Sequence, residues 1–303
     1  MRMLHSLADV AELPCPVRWA LGFFDGVHLG HRRVITAPAP AGSPLGVLTF
    51  EQHPLTLVAP QRAPKLLTPC TAQKAALLEA LGVSYLLTLP FDAALAALTP
   101  QAFLDALCAT QRVAGFSVGS NWHFGKGGAG NAAFLQQYAA AHGLPAVVNE
   151  LAEQGGEAVC SSRIRTVLAG GDMESVSALL GHPFSIGGTV EQGQHLARTL
   201  GFPTANMAVS ERAALPPFGV YRAQACIGGR MVRGVASLGV RPTIQEAVKI
   251  VRLETHFLDF AGDLYGQKLN VELLHFLRPE VKFDSVEQLR AQIAADVAAA
   301  CAE

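Results

Sequence analysis

The chain has 303 residues, of which 50% are hydrophobic and 16% are charged, and its formal net charge is −1. This composition supplies apolar residues for packed cores and excludes a disordered chain. The near-neutral charge lacks the basic surface that is typical of proteins that bind nucleic acids or anionic membranes. No apolar run reaches the roughly 20 residues that cross a bilayer.

The cysteines and the N-terminal residues indicate the cellular compartment of the protein. The six cysteines are scattered and form no C-x-x-C pair, which favours free thiols over disulfides or a structural zinc site. The first twelve residues carry charges and lack the apolar core of a signal peptide. We therefore expect a cytoplasmic protein with small-molecule substrates and with neither a nucleic acid nor a membrane as its partner. An oligomer remains possible.

The first half of the chain alternates short apolar runs with helix-forming stretches. This alternation predicts a parallel β-sheet with helices on both faces. Ligands of such sheets bind beyond the carboxyl ends of the strands, where His28, His53 and Asn121 fall. The predicted strands are residues 17–21, 45–50, 83–89, 113–118 and 146–150, and the predicted helices are residues 71–81, 100–112, 131–142, 161–169 and 172–181.

The pattern changes after Pro183. Strand-like runs are separated by glycine, proline and charged turns, and a helical period returns only at residues 285–300. Five or six short strands with a terminal helix predict a small antiparallel β-barrel. We therefore predict two domains, residues 1–182 and 183–303. The predicted barrel strands are residues 186–190, 220–227, 231–238, 251–257 and 269–277.

The turn after the predicted strand 17–21 reads His28-Leu29-Gly30-His31. Glycine allows the backbone to approach a ligand closely, and a helix start presents unpaired N–H groups to an anion. Two imidazoles three residues apart lie on one side of the first helical turn, where they can donate hydrogen bonds to the phosphates of a nucleotide. Asp25, just upstream, is placed to orient this loop or a metal-bound ligand. The alternative is a pair of surface histidines at a helix start.

Three later segments, residues 50–54, 119–126 and 161–165, are expected to contribute to the same site. The last of them opens a helix, where hydroxyls, backbone amides and a guanidinium can converge on phosphate. Each segment also has a structural alternative. His53 would then be a loop residue, Asn121 a turn former and Ser161 a helix N-cap.

Residues 201–206 read Gly-Phe-Pro-Thr-Ala-Asn and form a second motif. Pro203 fixes a turn, and Thr204 and Asn206 then alternate to the same side of an extended segment. A hydroxyl and an amide oxygen are hard ligands suited to magnesium that carries phosphates. The alternative is a turn between barrel strands with two solvated polar residues. Together, the two motifs predict an enzyme that uses ATP twice.

In their order and spacing, these motifs make the chain resemble the bacterial bifunctional riboflavin kinase/FAD synthetase family over nearly its whole length. The family blocks G-x-F-D-G-V-H-x-G-H, P-H-P, G-x-N/D-F-x-F-G and S-S-x-R-I-R correspond to residues 22–31, 52–54, 119–125 and 160–165. The kinase signature G-F-P-T-A-N is residues 201–206, with further blocks at 234–243, 253–256 and 259–266. The resemblance implies a Rossmann-like nucleotidyltransferase domain and a kinase barrel. It implies that riboflavin is phosphorylated to FMN and FMN is adenylylated to FAD, with Mg²⁺ and ATP in both steps.

The resemblance also implies a role for individual residues. Glu254 matches the family's general base, which takes the proton of the ribityl 5′-hydroxyl as that hydroxyl attacks the γ-phosphate. The alternative is that Glu254 is an exposed glutamate on a strand. Residues 193–198 would cover the phosphates, and His256 is expected to be structural. The implied catalytic residues are Glu254, His28 and His31; the ATP-binding residues are Gly30, Ser161, Ser162, Arg165 and Gly201; the flavin-binding residues are Asn121 and Asp25; and the magnesium ligands are Thr204 and Asn206.

The chain also departs from the family pattern. Phe23 stands where the family often has asparagine, and Trp122-His123 replaces the usual Phe-Arg. The stretch 31–49 is short for a strand–helix–strand crossover, and its prolines would break the helix. One alternative is therefore a riboflavin kinase with a degenerate first domain, and another is a flavin-binding regulator without turnover. We expect both activities because the histidines, Asn121 and Arg165 are retained.

Overall fold

The computed structural model describes residues 1–192, 201–241 and 250–302. The chain separates into two compact units. The first unit comprises Met1–Pro64 and Lys74–Cys160, and the second unit comprises Lys65–Gln73 and Ser161–Glu303. The segment 193–198, predicted to cover phosphates, lies outside the described residues. The domain boundary between residues 182 and 183 stays a prediction.

The first unit is built on a parallel sheet, as predicted. Its strand order is β1-β4-β3-β2-β5-β8, and every neighbouring pair is parallel. The order reverses at β2, and ligands in such sheets bind in the crevice at this switch point. The six strands are β1 (Arg2–Leu4), β2 (Val17–Leu21), β3 (Leu45–Phe50), β4 (Tyr85–Leu89), β5 (Val113–Gly119) and β8 (Ala146–Asn149). Two short hairpins add β6 (His123–Phe124), β7 (Gly130–Asn131), β9 (Glu153–Gln154) and β10 (Glu157–Ala158).

Helices cover both faces of this sheet because its central strands are apolar on both sides. On β2, Trp19 and Leu21 belong to one buried cluster, whereas Ala20 belongs to the cluster on the other face. Fully burying a large apolar side chain contributes about 1.5–3 kcal/mol. The helices up to residue 141 are α1 (Leu7–Ala11), α2 (Leu29–Ile35), α3 (Leu55–Val58), α4 (Thr71–Glu79), α5 (Ala93–Ala97), α6 (Pro100–Cys108) and α7 (Ala132–Ala141).

Helix α2 has only seven residues, in agreement with the expectation that the prolines in the stretch 31–49 would break the first crossover helix. Two side chains of the sheet donate hydrogen bonds to the last backbone carbonyls of this helix. The buried Arg18 guanidinium donates to the carbonyls of Val34 and Ile35, and the Ser117 hydroxyl donates to Val34 at 2.6 Å. The shortening thus lies at the C-terminal end of α2, and the end that carries the predicted histidines is retained.

Some boundaries differ from the sequence prediction. Helix α6 ends at Cys108, earlier than predicted, because Gln111 adopts a φ of 57° that a helix cannot continue through. The predicted strand 83–89 begins only at Tyr85, after the turn that follows Gly82 with a φ of 81°.

The second unit contains a closed barrel of six described strands, which confirms the predicted antiparallel barrel with a terminal helix. The strands follow one another in the order β11-β12-β15-β14-β13-β16, and each pair is antiparallel. They are β11 (Phe184–Glu191), β12 (Ala205–Ala208), β13 (Gly219–Ile227), β14 (Arg230–Arg241), β15 (Ile250–Phe257) and β16 (Lys268–Pro279). Helices α8 (Ser161–Ala169), α9 (Met173–Leu180) and α10 (Val286–Cys301) complete the unit.

The two faces of the barrel wall differ. Met207, Leu253 and Leu238 pair across three strands and are fully buried in the interior. The neighbouring row on the outer face is polar. Farther along this outer face, Val220 and Val235 pack against α10. Among the described residues, no helix combines the length and apolar character needed to cross a membrane.

Candidate active sites

The loop between β2 and α2 carries the first predicted site, at the switch point of the sheet. Asp25 and His28 are buried there, each 5% exposed. Phe24 and Val27 have φ values of 54° and 43°, in the left-handed region that a β-branched residue rarely adopts. Such strain costs on the order of 1–3 kcal/mol per residue and clusters at functional sites. The loop is therefore held in a conformation that its own residues disfavour.

The two histidines of this loop form a stacked pair. The His28 Nδ1 accepts a hydrogen bond from the backbone N–H of His31 at 3.3 Å, so the proton of the neutral His28 ring lies on Nε2. The ring centroids are 3.5 Å apart with an interplanar angle of 20°. Burial, together with the charges of His28 and Lys74, lowers the pKa of His31 well below its usual value. His31 is therefore neutral at pH 7, and its Nδ1 is enclosed without a hydrogen-bond partner among the described residues.

Lys74 is a further polar residue at this site, which the sequence analysis missed. It lies on α4, is 5% exposed, and its Nζ donates to the Phe23 carbonyl at 2.7 Å. The same Nζ lies 4.0 Å from the centroid of the Phe23 ring, and the Thr49 hydroxyl donates to the same carbonyl at 2.9 Å. Burial lowers the pKa of Lys74 to about 8, opposed by the attraction of Asp25. In the sequence, the only signal that Lys74 is buried is its place in a predicted helix whose later residues are mostly apolar.

The loops after β3 and β5 leave the same edge of the sheet. The His53 ring contacts the Phe23 ring edge-on, with centroids 4.8 Å apart, so the loops after β2 and β3 touch. Asn121 is exposed in the turn that follows β5, where a Cβ added at Gly119 would lie 3.3 Å from its Oδ1. A Cβ added at Gly30 would lie 3.2 Å from the His28 ring and 3.4 Å from a backbone oxygen. Glycine at position 30 therefore permits the close packing of the His28 ring on α2.

Ser161, Ser162 and Arg165 lie in the first turns of α8, which belongs to the second unit. The Arg165 Nη2 donates to the Ser162 hydroxyl at 3.3 Å. This contact brings two of the predicted phosphate-binding groups together at a helix N-terminus, where anions are favoured. Their role in binding ATP stays a prediction.

The second predicted site begins at the turn that precedes β12. Gly201 has a φ of 91°, a conformation that favours glycine. The Asn206 Nδ2 donates to the hydroxyl and the carbonyl of Thr204, at 3.1 and 3.2 Å. The His256 Nδ1 lies 2.9 Å from the Pro203 carbonyl. His256 thus contacts the turn, in keeping with the structural role that we expect for it.

Glu254 lies beside Asn206 on the outer face of the barrel. The two residues are direct partners between β12 and β15, and Ser237 is the partner of Glu254 on β14. Directly opposed residues of an antiparallel pair project to the same face, with Cβ atoms about 4.5–5.5 Å apart. A polar row thus crosses three strands, next to the Thr204 turn. Thr204 extends this row to four residues, of which the sequence analysis predicted Thr204, Asn206 and Glu254 and missed Ser237.

Two cavities flank this polar row. One, of about 260 Å³, is lined by Glu254, Ser237 and apolar side chains, among them Val220, Phe283 and Ile293. The other, of about 650 Å³, is lined by Asn206 and by residues that follow β15, among them Phe260 and Leu264. Thr204 lines both cavities. The arrangement offers a cavity with both apolar and charged walls on one side of the polar row and a larger space on the other.

An ion pair ties α10 to the barrel beside the smaller cavity. The Arg278 guanidinium donates two hydrogen bonds to the Asp296 carboxylate, at 2.8 and 2.7 Å, and both residues line this cavity. The Gln292 amide donates to the same carboxylate at 2.9 Å. Asp296 is 6% exposed, so its charge depends on these partners. The sequence analysis missed this pair, because the only signal was a lone aspartate on the apolar face of a terminal helix.

The oxygen atoms of the polar row fit magnesium. The Thr204 hydroxyl, the Asn206 Oδ1 and the Glu254 carboxylate are hard donors of the type that magnesium prefers. Within the described ranges, no group of three or more histidines, cysteines, aspartates and glutamates could hold a metal by itself. Magnesium in ATP-dependent enzymes usually has one or two protein ligands together with phosphates and waters. The row therefore fits a magnesium ion that arrives with its nucleotide.

Comparison with known proteins agrees with a chain that carries one site in each of two parts. Residues 11–163 match the family model described as FAD synthetase, and residues 180–302 match the one described as Riboflavin kinase. The bifunctional riboflavin kinase/FMN adenylyltransferase of Escherichia coli K12 is 37% identical over 98% of this chain and 95% of its own length. The protein of the same name from Pseudomonas fluorescens is 39% identical over 92% of this chain and 90% of its own length.

A solved structure described as a macrolide-efflux protein from Streptococcus pneumoniae is 28% identical, with a TM-score of 0.85 and coverage of 100% of both chains. That likeness shows a shared fold. The two family models together favour the prediction of two activities over a kinase-only chain. By these matches, the chain belongs to the bifunctional riboflavin kinase/FMN adenylyltransferase family, as its motifs predicted.

Proposed function

We propose that this chain phosphorylates riboflavin to FMN at the barrel of the second unit and adenylylates FMN to FAD at the sheet edge of the first. Each step uses one ATP and magnesium. The observation that carries the proposal is the polar row of Thr204, Asn206 and Glu254 between two cavities. The row supports the proposal because its carboxylate lines the cavity proposed for the flavin, whereas Asn206 lines the cavity proposed for the nucleotide.

In the kinase step, Glu254 acts as the general base. The riboflavin 5′-hydroxyl is a weak nucleophile, and a carboxylate within hydrogen-bond reach accepts its proton as the oxygen attacks the γ-phosphorus. The bond from that phosphorus to the bridging oxygen breaks, and ADP leaves. Thr204 and Asn206 would hold a magnesium ion, which would supply charge neutralisation at the phosphates. The apolar walls of the smaller cavity bind the flavin ring, and the larger cavity takes the nucleotide, with Gly201 in its binding turn.

In the adenylyltransferase step, a phosphate oxygen of FMN attacks the α-phosphorus of ATP, and pyrophosphate leaves. This nucleophile is already ionised, so the site needs donors and positive charge but no base. The His28 Nε2–H and the backbone N–H groups at the start of α2 are such donors, and the stacked His31 supports the His28 ring. Asn121 and Asp25 contact the flavin, and Gly30, Ser161, Ser162 and Arg165 contribute to the binding of ATP.

The proposed setting of both reactions is the cytoplasm. All six cysteines are unpaired, which is expected for thiols in a reducing compartment. The proposed partners are the small molecules riboflavin, FMN and ATP.

The test is a time course with riboflavin, Mg²⁺ and ATP in which the flavins are separated by chromatography. We expect FMN to form first and FAD to follow, and chelation of magnesium to stop both. Incubation with FMN and Mg-ATP isolates the second step. No FMN from riboflavin would overturn the kinase assignment, and no FAD from FMN would overturn the adenylyltransferase assignment.

A further inference from the structure

Lys74 is a buried charge that the proposed chemistry does not yet use. Its ammonium has three N–H donors, and in the described part of the chain it has one hydrogen-bond acceptor, the Phe23 carbonyl at 2.7 Å. The Phe23 ring lies against the same ammonium at 4.0 Å. A buried ammonium with one carbonyl and one ring face as its contacts is less favourable than an apolar side chain of similar size. Stability alone therefore does not explain a lysine at this position.

The contact of Lys74 falls on the strained loop. Phe23 directly precedes Phe24, whose φ is 54°, and His28 directly follows Val27, whose φ is 43°. Strained residues persist only where the surrounding structure over-determines them. Lys74 and Thr49 both donate to the Phe23 carbonyl, so this end of the loop is fixed from α4 and from β3. The other end is fixed by the His28 N-cap of α2.

The charge of Lys74 also acts on the histidine pair. Burial of the His31 ring is the main cause that keeps this histidine neutral, and the charge of Lys74 contributes to it. Asp25 attracts the ammonium from the same loop. The charged and titratable groups that interact with Lys74 are therefore Asp25 and His31, and both lie within the candidate site.

We propose that Lys74 is a positioning residue for adenylyl transfer, which holds the loop 22–28 by the Phe23 carbonyl and so fixes the stacked His28 and His31 rings. The inference rests on the proposed adenylyltransferase activity of the first unit. Lys74 acts through the loop and through the neutral state of His31.

The test compares three variants in the full chain, with both activities measured on each preparation. Lys74→Met removes the ammonium and keeps much of the side-chain volume. Lys74→Arg keeps the charge and the donors. Leu104→Ala is the control for lost core packing, because Leu104 is fully buried in the same unit and belongs to a core cluster that contains no residue of the loop 22–28. Riboflavin phosphorylation in the second unit reports on the integrity of each preparation.

We expect Lys74→Met to lower kcat for FMN adenylylation by at least about tenfold, since small misplacements of catalytic groups are this costly. KM for FMN and for ATP should change less than kcat, and riboflavin phosphorylation should stay within about twofold of the unsubstituted chain. Lys74→Arg should recover a large part of the lost kcat. Leu104→Ala should lower the folded fraction but not kcat per folded molecule.

Two results would overturn the inference. One is Lys74→Met with adenylylation within twofold of the unsubstituted chain, and the other is an equal loss of kcat per folded molecule in Leu104→Ala. Failure of the unsubstituted chain to convert FMN to FAD would instead overturn the proposed function of the first unit, and the inference with it.

Discussion

The candidate sites of the two units present opposite chemistry. At the sheet edge of the first unit, the groups that the structure places together are nitrogen donors and a cation, above all His28, His31 and Lys74. On the barrel of the second unit they are oxygen atoms, from Thr204, Asn206 and Glu254. The first set suits an anion, and the second suits a metal ion and an acidic proton.

The difference follows the state of the nucleophile in each proposed step. A phosphate monoester is already ionised near pH 7, and its attack on another phosphate needs charge neutralisation. An alcohol is not ionised, and its attack needs a proton acceptor as well. Only the kinase step needs a base. This explains why the second site has a carboxylate beside its cavities, whereas the Asp25 carboxylate of the first site lies near the Lys74 ammonium. Variants at each site should therefore separate the two activities.

Replacement of the carboxylate should give the largest effect. We expect Glu254→Gln to lower riboflavin phosphorylation by about 10²–10⁴-fold, the usual worth of a general base, and to leave FMN adenylylation unchanged. Initial rates of FMN and FAD formation by chromatography measure both. Glu272→Gln is the control, since this strand glutamate receives a hydrogen bond from Gln224 and does not line the smaller cavity. Equal loss of the two activities in Glu254→Gln would contradict separate sites.

The converse change is His28→Ala. Removal of the Nε2–H donor and of the helix cap should lower FMN adenylylation by about 10²–10³-fold, the range seen when a single transition-state donor is lost. Riboflavin phosphorylation should be unaffected. His142→Ala serves as the control, because His142 is an exposed histidine that stacks on Tyr138. An unchanged rate of FAD formation from FMN would remove His28 from the site.

A smaller effect is expected at the Arg278–Asp296 ion pair, which joins β16 to α10. Asp296→Asn removes the charge that receives both hydrogen bonds of Arg278 and should loosen α10 over the smaller cavity. KM for riboflavin should rise about tenfold, equivalent to about 1.4 kcal/mol, with a smaller change in kcat. Steady-state kinetics at several riboflavin concentrations measures this split. A fall in kcat with an unchanged KM would show that the pair acts elsewhere than on flavin binding.

The parts of this protein that local sequence encodes were predicted correctly. Five of the six strands in the parallel sheet and five of the six described strands in the barrel follow from apolar runs and turns. The roles of His28, Asn121, Thr204 and Asn206 rest on motifs and stay predictions. Strand β12 has only four residues and lies within a motif read as a turn, so periodicity does not reveal it. The retention of α2 depends on Arg18, whose side chain satisfies carbonyls 16 and 17 residues away.

The residues that sequence reasoning missed all depend on contacts between distant segments. Lys74 meets Phe23 across 51 positions, and Arg278 meets Asp296 across 18. A lysine or an aspartate in a helix usually faces solvent, and only the packed fold shows that these two are buried. Ser237 joins the polar row through strand register alone, which no local pattern specifies.

The last prediction concerns stability and not activity, and it has a sign that a purely structural lysine would not give. The pKa of Lys74 is about 8 in the folded chain, below its usual 10.5, which corresponds to a cost of about 3 kcal/mol for the buried charge at pH 7. Between pH 8 and 10.5 the unfolded chain binds the proton that the folded chain has released. For this group alone, stability therefore rises with pH across that window and carries the full cost below it.

Lys74→Met should remove this cost and lose a hydrogen bond worth about 1 kcal/mol. The first unit should thus become about 2 kcal/mol more stable at pH 7, and the gain should shrink as the pH rises to 10. Both tryptophans, Trp19 and Trp122, lie in the first unit, so denaturant unfolding of the full chain followed by tryptophan fluorescence reports on it. Lys126→Met, at an exposed lysine of the same unit, should change stability little. A loss of stability in Lys74→Met at pH 7 would mean that this ammonium stabilises the loop more than its burial costs, and that the first site holds its cation for packing rather than for chemistry.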